Sequence, residues 1–353
     1  MERPWDRRRL LQAGLALPLA LRAEAAAAVE PIYIGDMHFH SFFGNSVYHS
    51  RPVGKAMADG RATLIAWTMT GDVLWIEPGP RGYIQKAVPK PGETFGFFQR
   101  ELARIKAHLA EQNLKIVRTP ADVDRAVAGD PHTVLAVEGA NFIEGDVGRV
   151  QIAYDLGVRH LQLVHYSANT LGDYQTVAPV HGGLTELGRK VVQECNRLGI
   201  VVDLAHATPQ AVGQALSLST VPMVWSHSSV TKGPAPNWNM IGWKARQLTL
   251  EGARAIAAKG GVVGIWAFAP DVGPRPENFA ARLAELADWL GEDHVAIGSD
   301  MNGLGRHAAL KSYADVRRAV DHLESLRLSE ARIRKLAIGN YARVLKVALQ
   351  DKR

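Results

Sequence analysis

From Pro31 onward, short uninterrupted apolar runs alternate with longer segments whose apolar residues recur at helical spacing. Continuous apolar runs read as strands buried on both faces, and their alternation with amphipathic helices predicts a parallel sheet. The expected strands are residues 33–40, 62–69, 132–138, 160–165, 200–206, 221–227, 262–268 and 294–300. Helices are expected over 93–113, 148–156, 184–198, 209–216, 248–259 and 277–290, with 312–326 and 329–349 closing the chain. Punctuation agrees with these bounds. Thr119-Pro120 sets an N-cap followed by proline, and Gly199, Gly260-Gly261 and Gly291 stop three of the helices. The Pro-Gly-rich stretch 77–92 reads as a loop over one face, and 115–118 as a short peripheral strand. Eight strands with intervening helices predict an α/β fold, the (β/α)8 TIM barrel, whose active sites sit at the C-terminal strand ends.

Those strand ends are where the chemistry lies. The first run ends in His38-Phe39-His40, and side chains two apart on a strand project to the same side. Later runs end in Glu138, His165, His206, His227 and Asp300. Imidazole and carboxylate are zinc ligands, and histidines scattered through a core would not all choose strand ends.

Composition narrows the field further. With 47% hydrophobic and 22% charged residues, the chain has the make-up of an ordinary globular protein. Cys195 is its only cysteine, so there is no intramolecular disulfide and no cysteine-based metal or redox site. The thiol sits in a helical pattern and reads as structural. A formal charge of +6 owes much to arginines before residue 25. The remaining basic residues are interleaved with acids, which argues against a nucleic-acid partner.

The N-terminus reads as a targeting segment. Arg7-Arg8-Arg9-Leu10-Leu11 precedes an apolar stretch over 13–21 and a small-residue run, Ala25 to Ala28. Charged, apolar and small-residue regions in that order make a secretory signal, and the paired arginines resemble the twin-arginine type. Residues 1–28 are therefore expected to be a signal peptide, with a general-secretion signal or an uncut anchor as the alternatives. Residues 29–353 form one barrel domain, periplasmic or secreted, with no membrane span after cleavage.

Several longer motifs are similar to those of the membrane (renal) dipeptidases, zinc peptidases of the amidohydrolase-like barrel class. They are AVEGA at 136–140, LGVRHLQLVH at 156–165, GLTELGR at 183–189 and NRLGIVVDLAH at 196–206. SHSS at 226–229, GGVV at 260–263, DHVAIGSD at 293–300 and GNYARV at 339–344 continue the series. The resemblance implies two zinc ions bridged by Glu138, one held with His206 and His227, the other with His38 and His40. It implies that His165 binds and polarises the scissile carbonyl. Asp300 would handle the proton of a metal-bridging hydroxide, and Arg246 would bind the substrate carboxylate. A small dipeptide or amide is the implied substrate, and a homodimer is compatible with the reading.

Two positions depart from the family pattern. His40 stands where the family has aspartate, which removes one negative charge from the ligands and leaves a stronger Lewis acid. Gln247 stands where asparagine follows the arginine. Other readings are an amidase or lactonase of the same barrel class, and a catalytically silent paralogue that binds peptides. Asp36, Tyr166 and Asn169 are expected to line the pocket. Trp67, Trp75, Trp225 and Trp266 are expected in the core or pocket wall. His49, His108, His132, His160, His181, His294, His307 and His322 read as structural or surface residues.

Overall fold

Eight parallel strands follow one another in chain order: β1 (Ile34–Phe39), β2 (Ala62–Thr70), β3 (His132–Glu138), β4 (Val158–Gln162), β5 (Val201–Asp203), β6 (Val224–Trp225), β7 (Val262–Ile265) and β8 (Val295–Ile297). Each pairs with the next. Closure between β8 and β1 comes from backbone bonds just past the strands: His40 N donates to Met301 O (3.0 Å) and Asp300 N to His38 O (3.0 Å). The result is a nearly closed TIM barrel, as the alternating pattern predicts. Every residue of the eight strands is buried, which is why they read as continuous apolar runs. The Lys115–Ile116 strand pairs with β3 outside this circuit, as expected of a peripheral strand.

This computed structural model describes Met1 and residues 30–41, 52–80 and 82–350. The chain divides into residues 1–31 and a unit running from Ile32 to Arg353. The expected signal segment and His49 lie outside the described residues. Among the described residues, no helix is long and apolar enough to cross a membrane.

Helix starts are set by short hydroxyl side chains. Thr119, Thr185, Thr208, Thr249 and Ser312 each accept a hydrogen bond from an amide three residues on, satisfying a donor that the helix leaves open. Caps also explain two late starts: the helices begin at Glu186 and Leu250, not at 184 and 248. Three expectations need correction. The C-terminal helix is interrupted, with a π turn at Lys335–Gly339 between Glu330–Arg334 and Asn340–Gln350. The stretch 77–92 is not all loop, because Ile76–Gly79 pairs antiparallel with Gly82–Gln85. A helix at Val53–Gly60, with no side-chain cap to announce it, was absent from the pattern.

The last five strands end earlier than their apolar runs suggest. Beyond them the chain turns inward, and His206 (φ 69°) and Asp300 (φ 52°) occupy the left-handed region. That conformation is sparsely populated for residues other than glycine, and it tends to occur where a site requires it. Two glycines make room for this inward turn. A Cβ on Gly264 or Gly298 would lie 1.8 or 1.6 Å from Ser226 O, so the ends of β6, β7 and β8 converge only without side chains there.

The loop after β3 is tied to the helix Glu93–Glu111 by one carboxylate. Glu144 accepts from Gly92 N (2.7 Å), Thr94 N (3.0 Å) and Phe95 N (3.3 Å), and from Arg149 Nη1 (2.9 Å). It caps a helix whose own N-cap, Gly92, offers no side chain. Burial pushes this carboxyl upward, but the Thr94 and Arg149 donors and these amides outweigh it and hold the pKa at about 2, against an ordinary 4.5. A depressed carboxylate stabilises the fold above its unfolded pKa and loses that contribution as pH falls toward the folded value. Glu144→Gln should therefore cost about 1–3 kcal/mol at pH 7. The gap should narrow below pH 4.5, to roughly half near pH 3. Urea midpoints of both proteins across that range measure it, and a gap independent of pH would exclude the ionised cap.

Candidate active site

Local hydrogen bonds fix each inward-facing ring before any ligand is considered. His40 Nδ1 lies 2.9 Å from Thr68 O, a carbonyl that can only accept. The proton therefore sits on Nδ1 in the neutral ring, and the Nε2 lone pair faces the cavity. His165 Nδ1 is held the same way, 2.6 Å from Asp72 Oδ1. Ser226 Oγ lies 2.9 Å from His227 Nδ1 and 3.3 Å from His38 Nδ1. Outer partners of this kind orient imidazoles for metal ligation.

The Nε2 atoms converge on Glu138, the last residue of β3. Its Oε1 lies 3.2 Å from His206, 3.4 Å from His165 and 3.5 Å from both His38 and His227. Its Oε2 lies 3.5 Å from His40 Nε2 and accepts from Thr70 Oγ1 at 3.3 Å. Asp300 Oδ1 lies 3.4 Å from His40 Nε2. The rings pair nitrogen to nitrogen, His38 with His40 at 3.1 Å and His206 with His227 at 3.2 Å. Donor atoms fall into close groups that include His38–His40–Asp300 and Glu138–His206–His227.

The electrostatics suit cations at both groups. Burial raises the cost of ionising Glu138, yet His165, His38 and the His206 bond hold it well below the usual carboxylate range. Burial, with Arg246 and His165 beside it, keeps His206 neutral, and burial with His38 and Arg246 does the same for His227. Neutral imidazoles have the free lone pair that ligation needs. At His40 burial opposes protonation, but the Asp300 bond and the Glu138 charge prevail and raise its pKa. The field at its Nε2 thus favours positive charge. The donor set fits divalent metal ions, with the Glu138 carboxylate within 3.5 Å of rings in both groups.

Arg246, the residue implied to bind the substrate carboxylate, ends the short helix Gly242–Ala245 and is buried. Its Nη2 lies 3.2 Å from His227 Nε2 and its Nη1 donates to Tyr166 OH at 3.2 Å. The guanidinium sits 5.5 Å from the Trp266 ring centroid, and its Nε has no hydrogen-bond partner. No carboxylate among the described residues pairs with it. A buried cation without a counter-charge is costly, so the position calls for an anion from outside.

A cavity of about 780 Å³ opens over these groups. His40, Glu138, His165, His206, His227 and Asp300 form its floor, and Tyr83, Tyr166, Trp243, Trp266 and Phe268 give an aromatic wall. Pro78, Gly79, Pro80 and Gly82 of the hairpin also border it. All eight sequence-selected residues come together, His38 being buried directly beside His40 and His227.

Other expectations divide. Tyr166 and Trp266 do line the cavity, and Trp67 and Trp225 are core. Asp36 lies outside the lining. Its Oδ1 accepts from His38 N (3.1 Å) and Ser299 N (2.9 Å), joining β1 to the loop after β8. Burial pushes that carboxyl up to about 6 despite the Ser299 donors. Asn169 borders a separate, smaller cavity. His307, read as structural or surface, lines the main one. Sequence reasoning missed Asp72 altogether. The available signal was its place just past the end of β2, one of the two expected strands, with 262–268, to which no functional end residue had been given.

Comparison with known proteins agrees with this geometry. Residues 94–353 match the family described as membrane dipeptidase (peptidase family M19). The dipeptidase tcpJ of Claviceps purpurea is 26% identical over 302 residues, covering 83% of this chain and 68% of that protein. The dipeptidase verJ of Clonostachys rogersoniana is 32% identical over 199 residues, 54% of this chain and about half (48%) of that relative. Among solved structures, a Rhodobacter sphaeroides metallo peptidase, liganded with a phosphinate mimic of the dipeptide L-Ala-D-Ala, superposes with a TM-score of 0.72. It is 21% identical, and the match covers 90% of this chain and 99% of that one. With the matched segment spanning β3 to the C-terminus and the donor groups in place, the chain belongs to the membrane dipeptidase family, and is by that membership a metallo-dipeptidase, a hydrolase acting on peptide bonds.

Proposed function

We propose that this protein is an exported binuclear zinc dipeptidase. One observation carries the reading: Glu138 lies between two pairs of imidazoles, its Oε1 3.2 and 3.5 Å from His206 and His227, and its two oxygens each 3.5 Å from one of His38 and His40. His38, His40 and Glu138 would hold one ion, and Glu138, His206 and His227 the second. Bound there, the ions would supply Lewis-acid polarisation and a water acidic enough to attack near neutral pH. The remaining roles belong to the chain. Asp300, 3.4 Å from His40, is placed to take a proton from the attacking water and pass it to the leaving amine. Burial opposes protonation of His165, but the Asp72 and Glu138 charges prevail and raise its pKa, so as an imidazolium it faces the same point from the Asp72 side and can donate from Nε2 to the developing oxyanion. Arg246 offers its unpaired guanidinium to the substrate's terminal carboxylate, which a free dipeptide carries and a lactone does not. The dipeptide mimic bound by the Rhodobacter sphaeroides relative fits this reading. Residues 1–28 would direct export by the twin-arginine route, leaving 29–353 as the mature barrel.

Metal content of the purified mature protein, measured alongside hydrolysis of small dipeptides, tests the proposal. The expected result is about two zincs per chain with turnover. Two zincs without dipeptide turnover would transfer the site to an amidase or lactonase. One metal or none would mean that His40 has altered the first site.

A further inference from the structure

The cavity is not symmetric in charge. Among the described residues, its only acidic lining groups are Glu138 and Asp300, and both face imidazoles of the ligand cluster within 3.5 Å. Besides those ligands and His165, three basic side chains line it: Arg246, Arg306 and His307. Arg246 stands beside His227, at the second ligand group. Arg306 belongs to the turn that follows Asp300, at the first group.

That turn is held at both ends. Asn302 Nδ2 donates to His40 O at 2.6 Å on one side. On the other, Ala309 N donates to Ala267 O at 2.7 Å, and Ala308 bridges antiparallel to Phe268. The His307 ring lies 5.7 Å from the Phe268 ring, and Arg306 Nε lies 3.3 Å from His307 Nε2. No carboxylate among the described residues pairs with Arg306. An unpaired guanidinium on a braced turn at a cavity wall is suited to a bidentate carboxylate.

Resting on the dipeptidase reading above, we propose that Arg306, supported by His307, is a specificity residue for an acidic side chain on the N-terminal residue of the substrate. With the terminal carboxylate on Arg246 and the scissile carbonyl over Glu138, the N-terminal residue falls on the Asp300 side, beneath Arg306. A glutamyl or aspartyl side chain there meets the guanidinium. The same pocket volume accepts the isosteric amide but offers it no charge pairing.

The test compares kcat/KM for Glu-Ala and Gln-Ala on the zinc-loaded full-length mature protein. Because each variant is read as a ratio of two substrates, a folding or loading defect cancels. The wild type should prefer Glu-Ala by about 3- to 10-fold, chiefly through KM, with the preference narrowing at high salt because the guanidinium is exposed. Arg306→Ala should bring the ratio to about 1, Arg306→Lys should keep part of it, and Arg306→Glu should take it below 1. A wild-type ratio of 1 or less, or a ratio that Arg306→Ala leaves unchanged, overturns the subsite while the dipeptidase reading stands. Hydrolysis of neither substrate by the loaded wild type overturns that reading, and the subsite with it.

Discussion

Glu138→Ala should release both metal ions and reduce turnover by on the order of 1,000-fold or more. Four Nε2 atoms lie within 3.2–3.5 Å of its Oε1, and a fifth, that of His40, lies 3.5 Å from Oε2. Asp300 is grouped with His38 and His40 and not with the His206–His227 pair, and Asp203, which is grouped with His38 and His227, has its oxygens engaged by His160, Ala205 N and Ser226 N. Without Glu138 the second group keeps only two imidazoles, and neutral imidazoles alone do little to balance a dication. The buried rings also lose the charge that favours any cation near them, natural or protonic. Metal analysis after dialysis, read beside far-UV circular dichroism to show that the barrel persists, gives the answer. Two zincs retained by a folded Glu138→Ala protein would refute the bridging role. Glu138→Gln sharpens the test, since it keeps the side-chain volume and removes the charge; it should lose metal nearly as completely.

How much of this site the sequence disclosed depends on what kind of force places each residue. Ligands carried by buried strands were legible, because hydrophobic burial writes itself as apolar runs and the metal-capable residue stands out at the end of each. His38, His40 and Glu138 sit at a strand end or within one residue of it. His165, His206, His227 and Asp300 were found by the same logic although they lie two or three residues past the true strand ends. The error in register did no harm, since the loops fold back over the same mouth. The left-handed backbone of His206 and Asp300, by contrast, leaves no mark in a histidine or an aspartate, and Ser226 O lodged against Gly264 and Gly298 is a packing fact between three distant segments. Arg246 shows the same limit. Its burial comes from Tyr166 and Trp266, 80 and 20 residues away, so the local sequence beside Lys244 does not disclose it, and only the family resemblance pointed to its role. The antiparallel pairing of Ile76–Gly79 with Gly82–Gln85 borders one side of the cavity, and proline and glycine content alone does not specify it.

Asp72→Asn should lower kcat by about 100- to 1,000-fold while leaving two metals per chain. The native carboxylate uses both oxygens. Oδ1 holds His165 Nδ1 at 2.6 Å, and Oδ2 accepts from Tyr166 N (3.1 Å), Ser167 N (2.9 Å) and Ser167 Oγ (2.8 Å). Asparagine has one acceptor end and one donor end, so it cannot satisfy both groups. With its NH₂ toward Ser167, the amide faces backbone donors that cannot accept, at a cost of about 1–3 kcal/mol for each group left unmade. With its NH₂ toward His165, the ring must offer a lone pair at Nδ1, which moves the proton to Nε2 and removes the negative partner that favours an imidazolium. Either arrangement disturbs the one ring placed to face the oxyanion, and neither touches a ligand of the two donor groups. The effect should therefore fall on kcat, with KM changed by less than about 3-fold, since Arg246, the proposed carboxylate anchor, is left untouched. Asp72→Glu, which keeps the charge on a longer stem, should recover part of the loss. If Asp72→Asn instead raised KM alone, or shed zinc, His165 would be acting in substrate or metal binding and not in stabilising the developing charge.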